Sequence, residues 1–347
     1  MSQRRRKLSD QVIVITGATS GIGLTTARLA AARGARLVLG ARNGVALLLL
    51  ANELSGHGGG VEILELDVAD SSAMDRLGQA AITRFGRIDT WINNAGASIY
   101  GRNEDILLAD QHRLFQTNFW GVVNGSLTAL RHMKASGGTL INLGSELSDR
   151  AVPLQGVYSA SKHAVKAYTE SLRMELEKDG SPLSVTLIKP AAIDTPFTLH
   201  AKNYMDKEPA LPPPLYAPEV AAKAILYAAE HAQRDVYVGA ASRLMSSLAF
   251  YMPRLLDHYM KGTMFGQQKR ADDVQPLRTD ALYQPNGSEL LQNSGGRNGK
   301  ALRHAPYTAL AQRSKPLTIA ALLGTAALAV WAVSSRAASV PGQEPGR

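Results

Sequence analysis

The chain of 347 residues contains no cysteine. That absence excludes a disulfide scaffold, thiol catalysis and a cysteine-bound zinc. Its eight histidines are scattered without paired spacing, so solvated or capping roles suit them and no metal site is expected. No secretory signal is expected in the first residues either. Arg4, Arg5, Arg6 and Lys7 precede the apolar run from Val12 to Ile15, but that run is too short and ends in a glycine turn. The net charge of +9 has no nucleic-acid recognition motif beside it. Anionic lipid suits the charge better, and no nucleic-acid partner is expected.

What is present begins at that first strand. Residues 11–15 form a short apolar run suited to a buried parallel strand. Gly17, Gly21 and Gly23 follow, then a helix-patterned stretch over 24–33. In a strand–turn–helix of this kind Gly17 permits a tight turn, Gly21 lets backbone approach a pyrophosphate, and Gly23 lets the helix pack closely. The open amides and the positive helix end then hold phosphate. The bland alternative is a tight connection and nothing more.

A second strand, 36–40, ends at Ala41 and Arg42. An acidic residue here would bind the ribose 2′-hydroxyl of NAD, whereas arginine accommodates the 2′-phosphate of NADP. No carboxylate stands at the strand end, so the reading is NADP(H) preferred over NAD(H), with a solvated surface arginine as the alternative for Arg42.

Further on, Tyr158 and Lys162 stand four apart, thirteen residues after Ser145. Residues four apart share a helix face. A free phenol titrates near about pH 10, too high for acid–base work at neutral pH, and a nearby cation lowers that value.

In order and spacing these motifs resemble the short-chain dehydrogenase/reductase family over residues 7–262, in its branch of shorter chains. The resemblance implies an α/β fold, a Rossmann-type doubly wound parallel sheet in one catalytic domain. It implies cofactor contacts at Gly17, Ser20, Gly21, Ile22 and Gly23, at Asp67 and Val68 near the adenine, and at Asn94, Ala95 and Gly96 beside the central strand. Ile193 and Thr195 would close over the nicotinamide. Asn118, Ser145, Tyr158 and Lys162 match the catalytic positions. Ser145 would donate to a substrate oxygen, Tyr158 would pass the proton, Lys162 would tune the phenol and hold ribose, and Asn118 would position a water. One residue departs from the pattern: Ala191 replaces the usual glycine, a cost if that backbone needs positive φ. The resemblance also implies a substrate lid over 196–216 and a homodimer or homotetramer through the helices carrying Asn118 and Tyr158.

The expected substrate is a small hydrophobic alcohol or its carbonyl. Phe197, Leu199, Tyr204, Met205 and Leu211 line the lid region, and no arginine cluster suits an anionic compound. Residues 242–261 read as a kinked amphipathic helix pair, interrupted at Pro253, that would wall the pocket, form a dimer contact or lie on a bilayer surface. Leu47, Leu48, Leu49 and Leu50 must expose at least one leucine, since a helical stripe is not contiguous.

The expected domain plan is a catalytic domain over 1–266, a flexible basic linker over 267–316, a single apolar helix over 317–333 and a tail over 334–347. The uncharged stretch 317–333 would span about 26 Å against about 30 Å of hydrocarbon. It is expected to be a transmembrane anchor, with Trp331 at an interface. Arg297, Lys300, Arg303, Arg313 and Lys315 precede it, whereas Arg336 and Arg347 follow. That bias places the catalytic domain on the cytoplasmic side. An NADP(H)-dependent oxidoreductase acting on CH–OH groups is the reading favoured, with a catalytically idle, membrane-tethered cofactor sensor or scaffold as the alternative.

Overall fold

Short apolar strands alternating with amphipathic helices build a seven-stranded sheet. The computed structural model describes residues 5–274, 279–286, 290–296 and 301–313. In chain order its elements begin with β1 (Val12–Thr16), α1 (Gly21–Ala31), β2 (Arg36–Ala41), α2 (Gly44–Leu54), β3 (Val61–Glu65) and α3 (Ser71–Phe85). Then come β4 (Thr90–Asn93), β5 (Ile99–Tyr100), α4 (Leu108–Phe115), α5 (Gly121–Met133), β6 (Gly138–Leu143) and α6 (Gly156–Lys178). The second half adds β7 (Leu183–Pro190), α7 (Phe197–His200), β8 (Lys202–Asn203), β9 (Lys207–Pro209), α8 (Pro218–Glu230) and β10 (Asp235–Val238). After these stand α9 (Ala240–Tyr251), α10 (Pro253–Gln267), β11 (Lys269–Asp273) and α11 (Pro306–Arg313).

The main sheet runs β10-β7-β6-β4-β1-β2-β3, every pairing parallel. Neighbouring residues on a strand point to opposite faces. Ile13 and Ile15 therefore join one core layer with α1 and α8, while Val12 and Val14 join the other with Trp91 and α3. Both faces are covered, which is why β1 reads as an unbroken apolar run. β1 lies between β2 and β4, so strand order reverses there and a crevice opens at the carboxyl ends of the two strands.

The leucine run resolves as helix geometry demands. Leu47 and Leu50 face the core, and Leu48 and Leu49 are exposed. Asn43 caps that helix by accepting from the Ala46 amide at 2.9 Å. The amphipathic pair expected over 242–261 is present as α9 and α10, broken at Met252 where Pro253 begins the second helix.

Within the stretch expected to be a flexible linker, several of the described residues pack on the rest of the chain. β11 pairs antiparallel with β9 of the lid region. α11 docks through Thr308, whose hydroxyl accepts from the Gly239 amide at 2.8 Å, and through Gln312, which donates to Ala224 O at 3.0 Å. Anchoring falls on backbone groups and a few side chains such as the fully buried Leu282. Such an anchor leaves no apolar periodicity for a sequence to display. Among the described residues no helix is long and apolar enough to cross a membrane, and the apolar stretch 317–333 lies outside them.

Candidate active site

β6 ends at Leu143, and Ser145 stands two residues beyond as the cap of a short helical turn. Its hydroxyl oxygen accepts from the Leu147 amide, and the Ser148 hydroxyl accepts from the Ser145 amide, both at 3.1 Å. With its oxygen engaged by an N–H, the Ser145 hydroxyl keeps its proton to give. Tyr158 and Lys162 face it from the first two turns of α6, both buried. Lys162 Nζ donates to Leu143 O at 2.8 Å and lies 5.9 Å from the centre of the Tyr158 ring. Phe197 of the lid meets that ring edge-on, with centroids 5.4 Å apart.

Asn118 sits in a π-helical turn, Gln116–Trp120, inserted between α4 and α5. Such single turns widen a helix locally and gather at functional sites. Its side chain accepts from the Ala97 amide at 2.8 Å and donates to Ala97 O at 3.0 Å and Ser161 Oγ at 3.1 Å. Asn118 therefore ties the loop after β4 to α6. A side chain at Gly96 would stand 3.5 Å from Asn118 Oδ1 and 3.8 Å from Lys162 Nζ, so both residues flank that glycine.

The electrostatics correct one expectation. Burial pushes the Tyr158 phenol above its ordinary value, the Ser145 hydroxyl pulls it back, and the Glu146 carboxyl pushes it further up. No lowering by Lys162 enters. That ammonium is itself pushed down to about 8 by burial and is turned onto Leu143 O. Desolvation is the largest influence on both groups. Glu146 is a group that the motifs do not reveal: it lines the cavity beside Ser145, and burial raises its carboxyl to about 7.

One cavity of about 750 Å³ joins these residues to the glycine turn. Its wall includes Gly17, Ser20, Gly21, Ile22, Arg42, Asp67, Val68, Asn94, Ala95, Gly96, Ser145, Tyr158, Lys162, Ile193 and Thr195. Gly23 and Asn118 lie behind it. Gly17 holds φ +65° with room for no side chain, since a Cβ would stand 2.8 Å from Ala95 Cα. Gly21 also has positive φ, +51°, and a Cβ there would press on Thr195 at 3.1 Å. A Cβ on Gly23 would overlap the Gly17 carbonyl, which accounts for close packing of turn and helix. Ala191 is not among the described residues with positive φ, so replacing glycine there brings no backbone strain.

At the end of the cavity where adenine is expected, Arg113 pairs with Asp67. Arg42 lines the cavity, but its guanidinium donates to the carbonyls of Ala281, Leu282 and Tyr283. Ala281, Pro285 and Asn286 line the cavity too. No sequence signal marks Ala281, because its contact to Arg42 runs through a backbone oxygen. At the opposite end Leu244, Met245, Leu248, Leu255 and Met260 of α9 and α10 complete the wall, the pocket role among those foreseen for that pair.

A narrow crevice at the sheet's reversal point, a glycine turn opening a helix, and a Ser–Tyr–Lys set beyond it fit a nicotinamide dinucleotide. Together they define an NAD(P)-dependent dehydrogenase/reductase. The chain belongs to the short chain dehydrogenase family, whose profile matches residues 11–205. It is similar to the uncharacterized oxidoreductase YxnA of Bacillus subtilis, 42% identical over 334 residues, 95% of this chain and 92% of that protein. Among solved structures it is similar to a short chain dehydrogenase/reductase from Burkholderia phymatum in complex with NAD, with TM-score 0.65, 25% identity, and 74% and 97% of the two chains covered. An alcohol dehydrogenase of the archaeon Thermococcus sibiricus complexed with 5-hydroxy-NADP superposes with TM-score 0.58 at 27% identity, covering 65% of this chain and 95% of that one.

Proposed function

We propose that the protein is an NADP(H)-dependent reductase or dehydrogenase interconverting a hydrophobic alcohol and its carbonyl. The observation that carries this reading is the shared wall: Ser145, Tyr158 and Lys162 open onto a cavity whose wall also holds the apolar Leu147, Val152, Phe197, Met245 and Leu248. Such a lining favours an apolar body, and the polar groups converge on one end of it. The bound nicotinamide supplies or accepts the hydride. Ser145 donates its hydroxyl proton to the substrate oxygen as charge develops there. Tyr158 delivers or receives the proton at its phenolic oxygen, and its burial keeps water out of that exchange. Lys162, with an ammonium already near neutrality, gives up or regains a proton at little cost near pH 8. Asn118 holds the loop carrying Ala97 against α6 and so keeps these groups in register.

Support for NADP(H) over NAD(H) comes from Arg42 at the adenine end and from the absence of a carboxylate at the end of β2. Support for a homodimer or homotetramer comes from exposed apolar side chains on and beside the helices in question: Trp120, Leu127 and Met174. Membrane attachment through 317–333, with the catalytic domain in the cytoplasm, rests on the apolar sequence and the basic residues before it. Phe250, Tyr251 and Met252, exposed at the junction of α9 and α10, would face the same bilayer. Following NADPH absorbance against a panel of hydrophobic ketones and alcohols tests the activity. Turnover of none of them, by protein that binds NADPH, would overturn the substrate class.

A further inference from the structure

The described residues 279–286 and 290–296 cross the adenosine end of the cavity as a strap, and the first of these segments holds Arg42 through residues 281–283. Nη1 of Arg42 donates to Leu282 O and to Tyr283 O, each at 3.1 Å, and Nη2 donates to Ala281 O. A guanidinium carries five N–H donors in a rigid fork. Three are held by the strap. Among the described residues the Nε–H and one Nη2–H make no hydrogen bond. A bidentate contact to phosphate needs two parallel donors.

The strap is itself well anchored. Leu282 is fully buried and packs in a cluster with Ile106 and Leu114. The Tyr283 hydroxyl donates to Asp110 Oδ1 at 2.8 Å, and Arg113 Nε donates to Leu282 O at 3.1 Å. Asp280 pairs with Lys202 at 3.3 Å, and the Ala281 amide donates to His200 O at 2.8 Å. A second foot rests on the glycine turn, where Gln292 O accepts from the Gly21 amide at 3.0 Å and the Ser294 hydroxyl donates to Asp194 at 2.8 Å. With the strap in place the cavity still measures about 750 Å³, and Ala281, Pro285 and Asn286 form part of its wall. The strap encloses the cavity without filling it, although its Gln292 carbonyl takes the Gly21 amide in the turn whose amides were expected to be open to phosphate.

We infer that residues 281–283 are a selectivity clamp, which fixes the Arg42 guanidinium so that its remaining donors meet the 2′-phosphate of NADP(H). This rests on the NADP(H) reading above. An arginine at an open strand end must lose side-chain freedom when it grips a phosphate. Here the carbonyls have already taken that freedom, so the contact forms with less entropic loss. Binding and clamping are then reciprocal: the 2′-phosphate strengthens the strap's hold, and the strap strengthens the phosphate's. NADH, lacking that phosphate, gains nothing from the clamp.

The test uses the full chain and NADPH or NADH as probes, with dissociation constants from nucleotide fluorescence. Leu282→Ala and Tyr283→Phe should weaken NADPH by about tenfold and about threefold respectively, leave NADH unchanged and leave kcat at saturating NADPH intact. In an Arg42→Leu background neither should cause further loss, because the group they position is gone. Hydrogen exchange of the unaltered protein should slow across 281–286 with NADPH and not with NADH, a measurement that survives if Leu282→Ala fails to fold. Tighter NADPH binding in the strap variants would mean that strap and cofactor compete, and equal losses for both nucleotides would mean a plain wall. Either result overturns the clamp. A wild-type preference for NADPH that disappears in Arg42→Leu but survives in both strap variants would sink the clamp alone. Equal wild-type affinities, unchanged in Arg42→Leu, would sink the NADP(H) reading beneath it.

Discussion

Lys162 Nζ stands 5.9 Å from the centre of the Tyr158 ring and gives its hydrogen bond to Leu143 O at 2.8 Å, so the pair share a helix face while the ammonium is bonded elsewhere. The two residues consequently have separable roles. Tyr158→Phe should bind NADPH as before and lose turnover by about three powers of ten or more, because the proton donor to the developing alkoxide is gone. Lys162→Ala should reduce both affinity and rate. Separate titration of NADPH and steady-state kinetics check this, and near-native turnover of Tyr158→Phe on a good substrate would rule the mechanism out.

Glu146 gives stability a pH dependence of a definite sign. Its carboxyl is raised by burial from 4.5 to about 7, so the folded state holds a proton that the unfolded chain releases. Stability from this group is full below pH 4.5 and declines as pH rises through about 7. Glu146→Gln removes the titrating proton while keeping the shape. The variant should show a flatter melting temperature between pH 5 and 8, and should melt higher than wild type at pH 8. An unchanged slope would mean that Glu146 is ionised throughout. The same variant removes a carboxylate that pushes the Tyr158 phenol upward, so the alkaline limb of the rate profile should not move to higher pH.

The fold and the reacting groups were legible because each depends on a local rule. Alternating strands and helices, the glycine turn and the four-residue spacing of Tyr158 and Lys162 are short-range patterns, and the cavity gathers the residues they mark. Gly21 shows where such rules thin out. Close approach of backbone to a pyrophosphate was the expected reason for it, and the chain adds two that the motif does not show, positive φ and contact with Thr195, 174 positions away. The strap shows the limit. Its hold on Arg42 is made by three backbone carbonyls, which every residue type possesses, and so the composition of 267–316 suggested only a linker. Lys162 shows a third case, since spacing established proximity to Tyr158 but not which acceptor its ammonium would choose.

Asp149 is a structural keystone outside the reaction. Burial alone would raise its carboxyl, but Lys166, Ser246 and Lys189 hold it down at about 2. It links α6 through Lys166, β7 through Lys189 at 3.0 Å and α9 through Ser246 at 2.7 Å. Asp149→Ala would leave Lys189, buried with only 3% of its side chain exposed, without its counter-charge. Breaking a buried pair in this way costs about 3–5 kcal/mol, and urea or thermal unfolding should record a loss of that order. In the native protein the contribution is present above pH 3.8 and fades as pH falls through about 2. Because α9 forms part of the pocket wall, KM for a hydrophobic ketone should rise in the variant more than kcat falls.

The anchor proposal separates cleanly from the catalytic one. Among the described residues, those of the cavity wall all lie at or before Asn286, and the last described helix, α11, docks on the core through Thr308 and Gln312. Truncation after Arg313 keeps all of these contacts and removes the apolar stretch 317–333 with its flanking Lys315 and Arg336. The shortened protein should be released into the soluble fraction and bind NADPH with unchanged affinity, while the full chain resists extraction by alkaline carbonate. A seventeen-residue, alanine-rich segment lies at the short limit for spanning hydrocarbon. Insertion should therefore be marginal, and replacing Ala326 with arginine near its centre should be enough to release the full chain. Full-length protein already free in solution would sink the anchor. A truncated form that fails to bind NADPH would show instead that the stretch supports the enzyme core.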